Sequence, residues 1–228
     1  MKKQIWVISL GGSRIVPNDL DINFIQEFRR IVSQHTKNNK FVVVCGGGTI
    51  ARKYIDALKK DGKSDYIQSL SGISVTRLNA RVMAYFFNYD PEKGIPHDMK
   101  SVENMLLKND VVFCGGLRYA PDQTSDTTAA RLASKLKTPL INITNVKGLY
   151  SGDPRKIKDA KFIPEISWAD FNKIASKIKF SAGQHFVLDQ SAAEEILKKK
   201  ITTYIVGNLR DFNHILLKKP FVGTTISG

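Results

Sequence analysis

Cysteine is scarce in this chain. Its 228 residues hold two, Cys45 and Cys114, with no CxxC pair and no histidine spacing beside them, which excludes a readable disulfide framework or zinc-type ligand set. Both stand at the ends of apolar, β-prone runs and are expected to be small buried hydrophobes. No apolar run approaches the ~20 residues of a membrane span, and Met1 to Leu10 is too short and too strand-like for a secretion signal. The expectation is a cytoplasmic protein with no membrane partner. No stretch rich in proline, glycine or serine divides the chain and no repeat is visible, so residues 1–228 are expected to form one domain with two lobes. Acidic residues are outnumbered: 21 Asp and Glu face 35 Lys and Arg, a formal charge of +14. Such an excess attracts phosphate-rich partners, nucleotide or nucleic acid. The basic residues are scattered, however, as at Lys59-Lys60, Lys156-Ile-Lys158 and Lys198 to Lys200, and not interleaved with aromatics. That favours solvated basic faces over a nucleic-acid-binding surface.

Two common nucleotide signatures are also missing. No GxxxxGK(S/T) run occurs, and Gly11-Gly12-Ser13-Arg14-Ile15 after the first strand does not fit GxGxxG. What is present is a set of glycine clusters, each directly after a β-prone run. Leu10 leads into Gly11-Gly12-Ser13, Val42-Val43-Val44-Cys45 into Gly46-Gly47-Gly48-Thr49, and Val111-Val112-Phe113-Cys114 into Gly115-Gly116. Loops without Cβ atoms let backbone N–H groups approach an anion, and a helix starting just beyond adds its positive end. Phosphate is the expected ligand.

The elements alternate. Strands are expected at Ile5 to Leu10, Phe41 to Cys45, Val111 to Cys114, Leu140 to Ile143, Thr202 to Val206 and Thr224 to Ile226. Helices are expected from Ile22 (with Asp21 at its start), near Thr49, from Ile73 to Phe87, over 101–107, from about Thr124, at Trp168 to Ile174, from about Asp189 to Lys199, and near Phe212. The segment from Asn145 to Pro154 reads as a hairpin or extended loop. This is the alternation of an α/β fold, a predominantly parallel sheet sandwiched between helices.

The glycine clusters resemble those of the amino-acid kinase superfamily, and the fuller set of motifs is most similar to its archaeal-type uridylate (UMP) kinase branch. The likeness rests on Gly11-Gly12-Ser13 with Val16-Pro17 and Asp21-Ile-Asn-Phe24; on Gly46-Gly47-Gly48 through Ala51-Arg52-Lys53-Tyr54-Ile55; on Gly72-Ile73 with Thr76-Arg77-Leu-Asn79-Ala80; on Thr144-Asn145-Val146-Lys147-Gly148-Leu149-Tyr150 with Asp153-Pro154; and on Gly223-Thr224-Thr225-Ile226. The resemblance implies a three-layer fold, transfer of a phosphoryl group from ATP with Mg²⁺ to UMP, and a homohexamer of pyrimidine nucleotide synthesis. The lobe of about residues 1–138 would then hold UMP and that of about 139–228 ATP. Gly12, Ser13 and Gly48 would meet the ATP phosphates, with Thr144, Asn145, Tyr150 and Asp153 along the rest of that nucleotide. Gly47 would contact UMP, and Arg52 would be the family's catalytic arginine beside the phosphates. Thr124 and Ser125 match hydroxyls on the acceptor phosphate, with ordinary helix capping an open alternative. Leu117, Arg118, Tyr119 and Gln123 fall on the acceptor loop, and Asp126 matches a position with an indirect role through Mg²⁺ or water; no metal ligand is assigned.

Four departures mark this chain. Ser9 stands where the bacterial branch carries a first-strand lysine, which the archaeal type can lack. Ser69 aligns with an acidic residue that accepts from the UMP ribose. The loop Leu117 to Gln123 is about two residues longer than usual and carries Arg118, Tyr119 and Asp122. Lys147 replaces an aspartate, either compensating for the missing lysine or facing solvent. His185 has no partner in sequence and is expected to be structural. Another small phosphate or carboxylate acceptor, or a non-catalytic nucleotide-binding or storage protein on the same scaffold, are the alternatives. A nucleic-acid-binding module would account for the charge but for none of the glycine spacings.

Overall fold

Parallel strands connected through helices must be covered on both faces, and the strand sequences satisfy that by being apolar at nearly every position. The computed structural model describes all residues except 1–2, 90–91, 93, 121–122, 153, 155–156 and 178–186. The main sheet contains β1 (Gln4–Leu10), β2 (Asn39–Cys45), β3 (Val111–Cys114), β4 (Leu140–Ile143), β7 (Glu165–Ile166), β8 (Thr203–Val206) and β9 (Gly223–Ile226), in the order β3-β2-β1-β4-β8-β9-β7. Neighbours from β3 to β8 are parallel, β8 and β9 are antiparallel, and β7 runs parallel to β9. A separate antiparallel pair joins β5 (Leu149–Tyr150) to β6 (Phe162–Ile163); β5 lies in the segment expected as a hairpin or extended loop, and β6 lies beyond it.

The period-two alternation of the strands divides the core in two. Ile8, Leu10, Phe41, Val43, Phe113 and Ile143 face a layer with α2 (Ile22–His35), α4 (Asp65–Phe86) and α9 (Leu209–Leu216). Val7, Val42, Val44, Val112 and Ile205 face α5 (Met99–Lys108), α6 (Ser125–Leu136), α7 (Trp168–Ser176) and α8 (Gln190–Lys199). Cys45 and Cys114 are buried on opposite faces as free thiols, and burial pushes both thiol pKa values up, that of Cys114 to about 12. Helix starts follow the sequence closely, because side chains cap them. Asp21, Asp98, Ser167, Asp189 and Asn208 each accept a first-turn N–H.

One helix departs from expectation. The helix expected from Ile73 begins eight residues earlier, at Asp65, so Ser69 and Gly72 lie inside α4 and not in a turn. Gly72 is there for packing. A Cβ on it would stand 3.2 Å from Cδ1 of Ile55 on α3 (Gly48–Lys60), so the missing side chain lets α3 and α4 approach. The short helix α1 (Gly12–Ile15) and the two-residue strands β6 and β7 were not expected. Among the described residues no helix is long and apolar enough to cross a membrane.

Candidate functional site

The strands from β3 to β8 point the same way, so their carboxyl ends open along one edge of the sheet, where ligands of such folds bind. A cleft of about 590 Å³ lies there, bounded by the loops after β1, β2, β3 and β4 and by the start of α6. Two of those loops touch through backbone alone. A Cβ on Gly12 would lie 2.2 Å from the nitrogen of Gly48, and one on Gly48, where φ is +63°, would lie 2.5 Å from the carbonyl carbon of Gly12. Only glycine fits at both points. The contact divides the cleft floor between the first and second glycine clusters. Gly48 also opens α3, whose N-cap Gly47 offers no capping side chain, so the first-turn N–H groups and the helix dipole remain available to an anion. Arg52, one turn into α3, lines the cleft and donates from Nη2 to Oγ1 of Thr49 at 3.0 Å.

The Thr76-Arg77-Leu-Asn79 segment of α4 holds the other loops from below. Thr76 Oγ1 accepts from the N–H of Gly116 at 2.8 Å, and Asn79 Nδ2 donates to the Gly46 carbonyl at 2.8 Å. Arg77 donates from Nε to the Gly116 carbonyl at 2.9 Å and from Nη2 to that of Leu117. The motif is visible in the sequence, but its task is not. Its task is long-range, which local pattern does not reveal.

Of the acceptor-loop residues, Arg118 and Gln123 line the cleft. Leu117 is buried and joins the core, and Tyr119 stands edge-on to Tyr66 at 4.7 Å. Those two instead line a side chamber of about 370 Å³ behind the loop, which shares Arg118 and Gln123 with the cleft. Ser69 reaches the cleft from α4, as do Thr144, Asn145 and Tyr150 from the segment after β4. Lys147 is exposed and does not line the cleft, so the solvent-facing alternative describes its position. Asp153, Asp122 and His185 lie outside the described residues.

Beneath the cleft sits a polar cluster that sequence reasoning grasped only in part. Ser9 and Asn142 are register partners on β1 and β4, and both carry polar groups where the alternation calls for core. Ser9 Oγ donates to Oδ1 of Asp126 at 2.6 Å and Asn142 Nδ2 donates to the same oxygen at 3.3 Å. Asn142 Oδ1 is buried without a partner among the described residues. Asp189 lies close by, accepting from Thr127 Oγ1 at 2.8 Å, from Thr124 Oγ1, and from the N–H of Ala192 at 2.8 Å. Loss of solvation, followed by the negative charge of Asp189, pushes the Asp126 carboxyl up to about 7, with the Ser9 hydrogen bond opposing. Among the described residues neither carboxylate has a lysine or arginine ion-pair partner. Thr124 Oγ1 is engaged in capping, since it also accepts from the N–H of Asp126 at 3.0 Å, and both Thr124 and Ser125 line the cleft. A polar residue two positions beyond Leu140 was the available signal for Asn142.

A divalent cation fits this cluster. The described residues contain no group of three or more His, Cys, Asp or Glu able to cage a metal, but Mg²⁺ is ordinarily held by one or two carboxylates together with substrate phosphates and water. Asp126 and the unpartnered Asn142 Oδ1, both on the cleft wall, supply oxygen donors of that kind.

The chain matches the amino acid kinase family over residues 4–207. It is 33% identical to the uridylate kinase of Thermococcus kodakarensis over 223 residues, covering 96% of this chain and 98% of that protein. It is 34% identical to the uridylate kinase of Archaeoglobus fulgidus over 222 residues, covering 97% and 99%. The crystal structure of uridylate kinase from Archaeoglobus fulgidus superposes with a TM-score of 0.83, at 33% identity, over 97% of this chain and 99% of that one. The crystal structure of UMP kinase from Ureaplasma parvum shares the fold, with a TM-score of 0.79 at 20% identity over 100% of both chains.

Proposed function

We propose, from the premise that this chain belongs to the amino acid kinase family and within it to the uridylate kinases, that it transfers the γ-phosphoryl group of ATP to UMP, giving UDP and ADP, in pyrimidine nucleotide synthesis in the cytoplasm. The observation that carries this reading is the backbone contact of Gly12 with Gly48. That contact brings the two glycine loops together at one point of the cleft, which suits end-to-end transfer between two nucleotides.

The donor half comprises about residues 139–228 together with the loop at Gly12, Ser13 and Gly48. There Thr144 and Asn145 flank the triphosphate, Tyr150 lies against the adenine, and Asp153 belongs to the same segment. The acceptor half comprises about residues 1–138. Gly47 and Ser125 face the acceptor phosphate, while Ser69, Arg118 and Gln123 face its nucleoside, and Leu117, Tyr119 and Thr124 shape that wall from behind. Transfer of this kind needs little covalent chemistry from the protein, so positioning and charge stabilisation carry it. The N–H groups at the start of α3 and in the Gly12 loop donate to phosphoryl oxygens, and Arg52 adds a permanent planar cation at the junction. An oxygen of the acceptor phosphate attacks the γ-phosphorus in line as the bond to the ADP oxygen breaks. Asp126 and Asn142 would hold Mg²⁺ together with the ATP phosphates, and the bound ion would supply charge neutralisation there. Asp126 keeps its place through Ser9 and Asn142.

A homo-oligomer, a hexamer by family likeness, accords with α4. Ile67, Leu78 and Tyr85 are exposed at spacings that set them on one stripe, an unusual face for a monomer.

The test is ADP release with ATP and Mg²⁺ against UMP, CMP, dUMP, AMP and GMP, with Arg52→Ala beside the wild type. Preference for UMP, with kcat reduced at least ~100-fold in the variant, is the expected result. A protein that binds ATP but turns over none of the five overturns the reading.

A further inference from the structure

The Gln123 side chain stands at the opening between the cleft and the side chamber and lines both. An amide is ambiguous as a recognition group, because one end accepts and the other donates. Here the ambiguity is removed by Arg131, which reaches back eight residues along α6 to donate from Nη1 to Oε1 of Gln123 at 2.8 Å. A guanidinium has donors only, so the atom facing it must be the amide oxygen. The NH₂ end is thereby turned away from Arg131. The helix beneath this latch is rigid, since Ala129, Ala130, Leu132 and Ala133, on either side of Arg131, are completely buried, while the Arg131–Gln123 hydrogen bond itself is exposed.

A fixed donor at the nucleoside end of the acceptor site distinguishes two bases of equal size. Uracil presents a carbonyl at ring position 4, an acceptor, where cytosine presents an amino group, a donor. A fixed NH₂ pairs with the first and opposes the second. We propose that Arg131 is a positioning residue for acceptor choice: by holding Oε1 of Gln123 it presents the amide NH₂ to the acceptor base and selects a ring carbonyl over a ring amino group, uridylate over cytidylate. This inference rests on the acceptor half being the site of a pyrimidine monophosphate. It adds a residue outside the cleft lining and a physical reason for base choice.

The experiment measures kcat/KM for UMP and for CMP in the wild type and in Arg131→Met, Arg131→Lys and Gln123→Glu, with ATP KM and melting temperature as controls. Arg131→Met frees the amide to rotate, so the UMP-to-CMP ratio falls about three-fold, the size of one exposed hydrogen bond. The fall is carried by KM, with ATP KM and melting temperature unchanged. Arg131→Lys, which keeps one donor, restores part of the ratio, a rescue that a purely structural role would not show. Gln123→Glu replaces the donor by acceptors and shifts the ratio further toward CMP than Arg131→Met does. An unchanged UMP-to-CMP ratio in both Arg131→Met and Gln123→Glu overturns the inference alone. A wild type that phosphorylates neither pyrimidine monophosphate overturns the acceptor reading beneath it.

Discussion

Replacing Gly48 by alanine separates two costs that usually come together. At φ +63° any L-residue is disfavoured, by roughly 1–2 kcal/mol. Gly62, just beyond the end of α3, carries the same conformational cost at φ +73°, yet a Cβ there meets nothing within 4 Å. Gly62→Ala therefore measures the backbone term alone. The expected result is a melting temperature lowered by roughly 2–8 °C, at about 2–4 °C per kcal/mol for a chain of this size, with kcat/KM unchanged. Gly48→Ala adds contacts of 2.5, 2.7 and 2.9 Å to the carbonyl carbon and oxygen of Gly12 and the nitrogen of Ser13. All are backbone atoms, so no side chain can rotate aside. The first and second glycine loops must separate by the better part of an ångström, and a misplacement of about 1 Å at a reacting centre costs on the order of 100-fold in rate. The assay is ADP release with ATP and UMP beside thermal melts of both variants. The reasoning is refuted if Gly48→Ala, folded at the assay temperature, loses no more kcat/KM than Gly62→Ala.

Two further substitutions test the supports of the site. Arg77→Met removes the guanidinium that binds the Gly116 and Leu117 carbonyls, so KM for UMP is expected to rise about ten-fold or more while KM for ATP stays within two-fold; equal changes in both constants would refute a role confined to the acceptor loop. For Asp126 the sign follows from its raised pKa of about 7: the neutral carboxyl suits the folded state, so stability is lost as pH rises from the unfolded value near 4 through 7. In nucleotide-free, metal-free buffer, Asp126→Asn escapes that loss, and its urea-melt stability should gain about 2 kcal/mol on the wild type between about pH 5 and about pH 8. A gap that does not change with pH would contradict the burial of that charge.

Much of the sheet was legible because strands β1 to β4 are apolar runs followed by glycine or threonine, and the helices beside it because Asp21 and Asp189 cap them where the apolar period begins. The start of α4 was hidden for the opposite reason. Its N-cap Ser64 makes no side-chain hydrogen bond, and Ser69-Leu-Ser-Gly72 resembles turn text, although Gly72 is a packing glycine against Ile55. The glycine clusters gave away the loops that line the cleft, since close backbone approach leaves a composition behind. Arg77 and Asn79 left no such trace, because their partners lie 39 and 33 residues away in sequence and any polar pair at that distance looks alike. Asn142 was overlooked although one apolar position in the alternation of β4 was polar, a signal only one residue long.

The charge distribution follows a division of work between surface and site. Near the glycine loops, beside the guanidinium of Arg52, the groups on offer are neutral dipoles: uncapped N–H groups at the start of α3, and glycine N–H groups that approach closely because no Cβ intervenes. Such dipoles are fixed by the fold and need no reorganisation when charge shifts during transfer. At Ser9 a neutral hydroxyl, and not a cation, faces Asp126. The net charge of +14 must then act chiefly elsewhere, from scattered surface lysines and arginines whose field decays over a Debye length of about 8 Å in physiological salt. A field of that kind hastens the capture of any polyanion and distinguishes none of them. Discrimination has to come from short-range, oriented groups, and the amide of Gln123 held by Arg131 is one such group on the acceptor side. Raising ionic strength should therefore slow nucleotide capture while leaving the preference for UMP over CMP in place, and a preference that faded with salt would mean that the surface charge, and not the oriented amide, makes the choice.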